Sequence, residues 1–315
     1  MDLQEYGCMN NTGASNLTRH TSLVRFCVDV HSYVIYRPNT RMKHAIQAMN
    51  PHTSTAPATE TLAAAARVAR ALADRARELA LQHFRTRLDV AIKSDASPVT
   101  IADRAIESAL RAQLAQAFPA HGVLGEEHGS EHVDAEYVWV IDPIDGTKSF
   151  ITGSPLWGAL IALLHHGRPV LGLIDAPFTR ERWFASGADA TLHDGRIAVT
   201  SGCVELAAAR VYTTSPDAFG DDDWVRYERL SRRAALRRFG GDCYSYGQLA
   251  SGHVDLVVES SLQPYDYLAL VRIIENAGGV ITDWQGRPLS IDSDGRVIAA
   301  ASAALHAEAL KMLDA

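Results

Sequence analysis

The segment Trp139-Val-Ile-Asp142-Pro-Ile-Asp145-Gly-Thr147 carries the residue types best suited to chemistry. Two carboxylates stand three residues apart at the end of an apolar run. Pro143 fixes one φ between them, and Gly146 lets the backbone approach a ligand closely. Carboxylates with a carbonyl between them suit hard divalent cations, which take oxygen ligands. In that reading Asp142 bridges two metals, Asp145 binds one of them and the Ile144 carbonyl binds the other. The plainer structural reading is a strand closing in an Asx turn, which Asp-Pro and Asp-Gly readily make.

Three further acids sit where apolar elements start or stop. Glu126, in Gly125-Glu-Glu127, follows Val123-Leu124. Asp103 lies three residues after Thr100, the spacing of a capping box, and Asp266 opens a helix whose positive end favours an acid in any case. Acids repeated at such ends repel one another unless cations join them, which favours a metal centre. Cys8, Cys27, Cys203 and Cys243 show neither metal-site spacing nor a disulfide framework. They are expected to be reduced thiols, and the lack of a Cys/His cluster argues against zinc.

The chain has 315 residues, 47% hydrophobic and 21% charged, a composition that excludes disordered and fibrous classes. A formal net charge of -7 gives no footprint for nucleic acid or an anionic membrane. No apolar run reaches the roughly 18 residues of a membrane span. A phosphate ligand must therefore be neutralised locally. Residues 1–60 hold four acids and five bases, show no sustained periodicity and end in a loop-like run from Asn50 to Thr59. They read as a flexible extension without the apolar region and cleavage site of a secretory signal. An organelle transit peptide, translation from Met42 or Met49, and a flexible tail stay open; the expected location is cytoplasmic, with organelle targeting as the alternative.

The remaining residues, 61–315, form the folded body, in two lobes dividing near residue 195. Periodicity predicts helices over 60–88, 100–118, 223–239, 242–250 and 266–277, and from about 304 onward. Strands are expected at 123–124, 137–141, 157–164, 169–175, 181–185, 197–199, 210–214, 254–258, 280–282 and 297–300. His165-His-Gly-Arg and Pro177-Phe-Thr-Arg read as turns between neighbouring strands. Strand pairs that follow one another without helices favour stacked layers over a regular Rossmann sheet.

Gly125-Glu-Glu127, the run from Trp139 to Thr147, Pro264-Tyr-Asp266 and Glu275-Asn-Ala-Gly-Gly279 together closely resemble the inositol-monophosphatase superfamily of Mg²⁺-dependent, Li⁺-sensitive phosphomonoesterases. The resemblance covers the body and none of the extension. It implies an α+β layered sandwich (αβαβα), usually a homodimer, with two to three Mg²⁺ per active site and Mn²⁺ as a substitute. Carried over residue by residue, Glu126, Asp142 and the Ile144 carbonyl match the ligands of the first metal. Asp142, Asp145 and Asp266 match those of the second. Asp103 and Thr147 match the pair that orients the attacking water, and Asp103 also touches a third, weaker ion. The backbone at Gly146 and Thr147 resembles the phosphate cradle, and Lys93 a mobile-loop lysine, one residue closer to Asp103 than in the animal inositol enzymes.

Within the superfamily, Gly240-Gly-Asp242-Cys243-Tyr-Ser-Tyr246-Gly, the stretch from Ala250 to Glu259 and Glu181-Arg182-Trp183 resemble the histidinol-phosphate phosphatase branch. That implies hydrolysis of L-histidinol phosphate in histidine biosynthesis. Asp242, Cys243, Glu259 and Arg182 would then line the substrate pocket, the two acids facing an α-ammonium and an imidazole. Ala176 and Arg272 depart from the branch, which usually carries Gln and commonly Pro there. An inositol-1-phosphate or other small-alcohol phosphatase is the alternative. A metal-binding regulatory homologue without turnover is the reading from another class.

Overall fold

A computed structural model describes residues 59–87, 90–92 and 98–314. The chain divides into two units, Met1–Thr53 and Ser54–Ala315, and every described residue belongs to the second. Alanine-rich helix α1 (Thr59–His83) is followed by strands β1 (Val90–Ile92) and β2 (Pro98–Thr100), then helix α2 (Ile101–Ala117). Strands β3 (Gly122–Gly125), β4 (Gly129–Glu131) and β5 (Tyr137–Asp145) lead into the short helix α3 (Thr147–Thr152). An antiparallel run follows: β6 (Gly158–His165), β7 (Arg168–Ala176), β8 (Glu181–Ser186), β9 (Leu192–His193) and β10 (Arg196–Ile197). The C-terminal part of the same unit holds β11 (Arg210–Thr213), α4 (Asp221–Ser231), β12 (Leu236–Phe239), α5 (Asp242–Ala250), β13 (Leu256–Glu259) and α6 (Pro264–Asn276). Strands β14 (Val280–Asp283) and β15 (Val297–Ala300) and helix α7 (Ala303–Asp314) complete it.

Eight strands form one sheet in the order β10-β9-β8-β7-β6-β5-β3-β4, and five form another in the order β12-β11-β13-β15-β14. The period-two alternation of β5 separates the layers. Trp139 and Ile141 enter a core with Ala69, Leu72 and Ala76 of α1 and Ile106 and Leu110 of α2. Val138 and Val140 enter the opposite core, with Leu249 of α5, Leu270 and Ile274 of α6 and Val257 of β13. A third core lies on the far side of the five-stranded sheet, where Tyr227 and Leu230 of α4 meet Leu305 and Ala309 of α7. The result is the αβαβα sandwich that the motifs implied. Helix α6 lies between both sheets, and its run Tyr267–Val271 with Ile273 and Ile274 is buried almost all round. Its close seat on β7 depends on Gly172: a Cβ there would lie 2.1 Å from the Ala269 carbonyl oxygen.

Two helices differ from the sequence expectation. Helix α1 ends at His83, where the chain turns through Arg85 at φ 59°. The expected helix 223–239 is α4 followed by strand β12. Arg232-Arg-Ala-Ala-Leu-Arg-Arg has good helix propensity, but parallel pairing of Leu236–Phe239 with Arg210–Thr213 supplies a ladder that overrides it. Cys203 and Cys243 are free thiols; Cys8 and Cys27 lie outside the described residues. Among the described residues no helix is long and apolar enough to cross a membrane.

Candidate metal centre and active site

The site is built on an irregularity at the end of β5. In a regular strand, residues three apart point to opposite faces. Here Asp142 pairs with Leu160 but Asp145 pairs with Gly158, so three steps on β5 oppose two on β6. That bulge restores the face and brings both carboxylates to one side. Ile144 donates its N–H to Asp142 Oδ1 at 2.9 Å, so the Asx turn and the cation-type cluster are the same structure. Ligating oxygens of Asp142, Asp145 and Asp266 lie within 4.8 Å of one another. Gly146 follows at φ 83°, and a Cβ on it would lie 2.8 Å from the Asp242 carboxylate.

Asp266 arrives from α6, far along the chain. It sits at the third position of α6 and accepts the Gln263 N–H at 2.6 Å in a reciprocal capping box. The helix-start role anticipated for it and its place in the cluster therefore coexist. Glu126, at the end of β3, hydrogen-bonds the Asp142 carboxyl. Asp103 is wholly buried in the first turn of α2. Thr147 donates its hydroxyl to the Ile144 carbonyl at 3.2 Å. Lys93 lies outside the described residues.

Electrostatics show what the cluster favours. Burial, and then the charges of Glu126, Asp145 and Asp266, push the Asp142 carboxyl well above the usual carboxylate range. Burial and Asp145 do the same to Asp266. Burial and the Asp242 charge raise Asp145 to about 7, against hydrogen bonds from Cys243. Buried oxygens that accept but cannot donate when ionised fit a hard divalent cation such as Mg²⁺ or Mn²⁺, whose charge reverses these shifts.

A cavity of about 160 Å³ opens beside the carboxylates, lined among others by Asp145, Asp266, Asp242, Cys243, Tyr246 and Glu259. Three of the four residues singled out for the substrate are thus brought together. Asp242 accepts the Ser149 hydroxyl at 2.8 Å, while burial raises its pKa. Glu259, 1% exposed, accepts the Thr213 hydroxyl at 2.9 Å and both the N–H and hydroxyl of Thr214 at 2.8 Å. Its pKa is raised to about 7, by burial above all. Arg182 is placed elsewhere in the chain. It binds Asp175 at 2.6 Å and Asp74 at 2.8 Å and lines a different cavity, with Arg70 and Arg77. Ala176 is fully buried in the core, and Arg272 donates to Asn276 and to the Gly187 carbonyl.

Sequence reasoning missed Glu107. Fully buried one turn beyond Asp103, it accepts the N–H of Glu127 at 2.6 Å and of His128 at 3.1 Å, and Arg111 at 2.8 Å. It fixes the loop that presents Glu126. The available signal was its i,i+4 spacing from Asp103 and again to Arg111, which puts all three on one helix face. It also missed a second cluster, Glu136, His165 and His166, which tertiary structure assembles away from the carboxylates.

A five-layer α/β sandwich with buried carboxylates converging where a strand ends defines a class of metal-binding enzyme scaffold. Residues 61–315 match the model of the inositol monophosphatase family, and the chain belongs to that family. It is 45% identical over 258 residues to the bifunctional phosphatase IMPL2, chloroplastic, of Arabidopsis thaliana, covering 79% of this chain and 75% of that protein. It is 38% identical over 263 residues to a histidinol-phosphatase of Mycobacterium tuberculosis, covering 79% and 97%. The structure of an inositol monophosphatase from Zymomonas mobilis superposes with a TM-score of 0.75 at 43% identity, covering 82% of this chain and all of that one.

Proposed function

We propose that the chain is a Mg²⁺-dependent phosphomonoesterase acting on a small phosphorylated alcohol. The observation that carries this reading is the convergence of the Asp142, Asp145 and Asp266 carboxylates beside a cavity. Mg²⁺ bound there supplies positive charge to the phosphate oxygens and the departing alkoxide. Glu126, Asp142 and the Ile144 carbonyl hold one ion, and Asp142, Asp145 and Asp266 hold the second. Asp103 and Thr147 orient the attacking water, and the Asp103 carboxylate accepts its proton as the new P–O bond forms. The ester P–O bond breaks and the alcohol oxygen takes up a proton from solvent. Gly146 and Thr147 cradle the phosphate. Residues 61–315 are the phosphatase domain, acting as a homodimer.

Substrates of the inositol 1-phosphate type fit the family as a whole, and the Zymomonas relative is named for that activity. L-Histidinol phosphate is the narrower reading. It is supported by relatives named histidinol-phosphatase and by Asp242 and Glu259, two carboxyl groups that line the cavity besides those of the metal cluster, where an α-ammonium or imidazolium needs an anion. Glu259 has both oxygens occupied by threonine donors, which leaves Asp242 as the group to meet that cation.

The test is Mg²⁺-dependent phosphate release, comparing kcat/KM for L-histidinol phosphate and myo-inositol 1-phosphate. A tenfold preference, about 1.4 kcal/mol at the transition state, supports the narrower substrate. Equal or reversed preference keeps the phosphomonoesterase and overturns that substrate. No release from either, nor from a mixture of other small phosphomonoesters, favours the regulatory homologue.

A further inference from the structure

We propose that Glu136, His165 and His166 form a second metal site, selective for Zn²⁺ and similar borderline cations over Mg²⁺. One ligating atom from each of the three lies within 4.8 Å of the others. Glu136 immediately precedes β5, whose Tyr137 pairs with His165 at the end of β6. His166 donates its N–H to the Glu136 carbonyl at 2.8 Å, which fastens the β6–β7 turn to the segment before β5.

The geometry suits a tetrahedral ion. Bonds of roughly 2.0–2.1 Å put neighbouring ligand atoms about 3.3 Å apart. His165 Nε2 and Glu136 Oε1 already stand 3.2 Å apart. His165 is buried and held between the rings of Tyr137 and His166, with centroids at 4.6 and 4.3 Å. Little side-chain freedom remains for it to lose on binding. Glu136 and His166 are exposed, so both can close the remaining gap and leave a fourth position to water. His166 and Gly167, at φ 48° and 74°, form a two-residue hairpin turn in which Asn-Gly is the favoured pair. The turn itself does not call for an imidazole.

Two imidazoles and one carboxylate favour Zn²⁺, Ni²⁺ or Cu²⁺, whereas Mg²⁺ prefers oxygen alone. The cluster stands at the start of β5 and Asp142 near its end, about 20 Å away at ~3.3 Å per residue. Its occupancy is therefore separate from the carboxylate centre. A cation there ties the β6–β7 turn to the edge of β5.

The experiment is calorimetric titration of Zn²⁺ into the full-length protein held in saturating Mg²⁺, for wild type, H166A and E136Q. Both substitutions are at exposed positions outside the proposed active site. The expected result is one equivalent of Zn²⁺ that binds at least 30-fold more weakly in either variant. Phosphate release in Mg²⁺ without zinc should be unchanged by H166A. A wild type that binds Zn²⁺ no more tightly than the variants overturns the site and leaves a hydrogen-bonded His–Glu pair. That outcome does not touch the phosphatase reading, which the same samples report through phosphate release.

Discussion

The backbone N–H of Cys243 donates to Asp145 Oδ2 across 2.6 Å, joining the first turn of α5 to the end of β5. One carboxylate of the metal cluster is thereby positioned by the C-terminal part of the chain, which also supplies Asp242, Glu259 and Asp266. Packing of α5 against the end of β5 is thus part of how the centre is assembled.

That assembly sets a pH dependence with an unusual sign. Asp145 is raised to about 7, and Asp142 and Asp266 well above the usual range, so the metal-free native state holds protons that the unfolded chain releases near pH 4. Metal-free stability should fall as pH rises from about 4 through 7, because the native state binds more protons there. The increment in Tm on adding Mg²⁺ should accordingly grow from pH 5 to pH 8. Melts in chelator and in Mg²⁺ at both pH values check this; an increment that shrinks with pH contradicts it.

Glu107 acts through the loop that carries Glu126. Replacing it with Gln turns one oxygen that accepts a backbone N–H into an amide group that cannot accept. Glu107→Gln should raise the Mg²⁺ concentration for half-maximal activity about tenfold, the usual size for groups supporting metal ligands. kcat at saturating Mg²⁺ should fall only a few-fold. A large kcat loss that excess Mg²⁺ does not recover would contradict a positioning role.

Asp242→Asn tests the substrate reading without disturbing the core, since the amide oxygen can still accept the Ser149 hydroxyl. kcat/KM for L-histidinol phosphate should drop about tenfold, or ~1.4 kcal/mol, with inositol 1-phosphate much less affected. Equal losses for both would remove Asp242 as a charge-reading group.

Stability of the folded body should depend on Asp255. Burial raises its pKa, but hydrogen bonds from Arg210 and Ser201 outweigh burial and leave it lowered. Its contribution is therefore present above the unfolded pKa of about 4 and lost as pH falls through the lower folded value. Asp255→Asn should cost about 2 kcal/mol at pH 7, moderated by the partial exposure of Arg210. Urea unfolding at pH 7 and pH 3 should show the difference from wild type narrowing at the lower pH.

Much of this was legible in local sequence. The apolar stretch Tyr137–Ile141 ended by Asp-Pro-Ile-Asp-Gly announces both a buried strand and its carboxylates, because pattern and turn chemistry agree over a few residues. Strand β12 was not legible: its basic, alanine-containing run reads as helix, and only the distant β11 makes it a strand. Glu107 and the Glu136–His165–His166 cluster were hidden for the same reason, since each gains its partners from strand register or a loop about 20 to 30 residues away. Arg182 shows the converse. Its neighbourhood in sequence matched a pocket motif, while its charge is taken by Asp175 across the β7–β8 pair and by Asp74 of α1.

The most direct measurement is phosphate release by wild type and Asp142→Asn, with and without Mg²⁺, alongside metal-free melting. Release is expected only in wild type with Mg²⁺, with a loss of at least about a thousandfold in the variant, and the variant should show a higher metal-free Tm because one repelling buried carboxylate is gone. Turnover that persists in excess chelator, or a variant that keeps Mg²⁺-dependent activity, would contradict it.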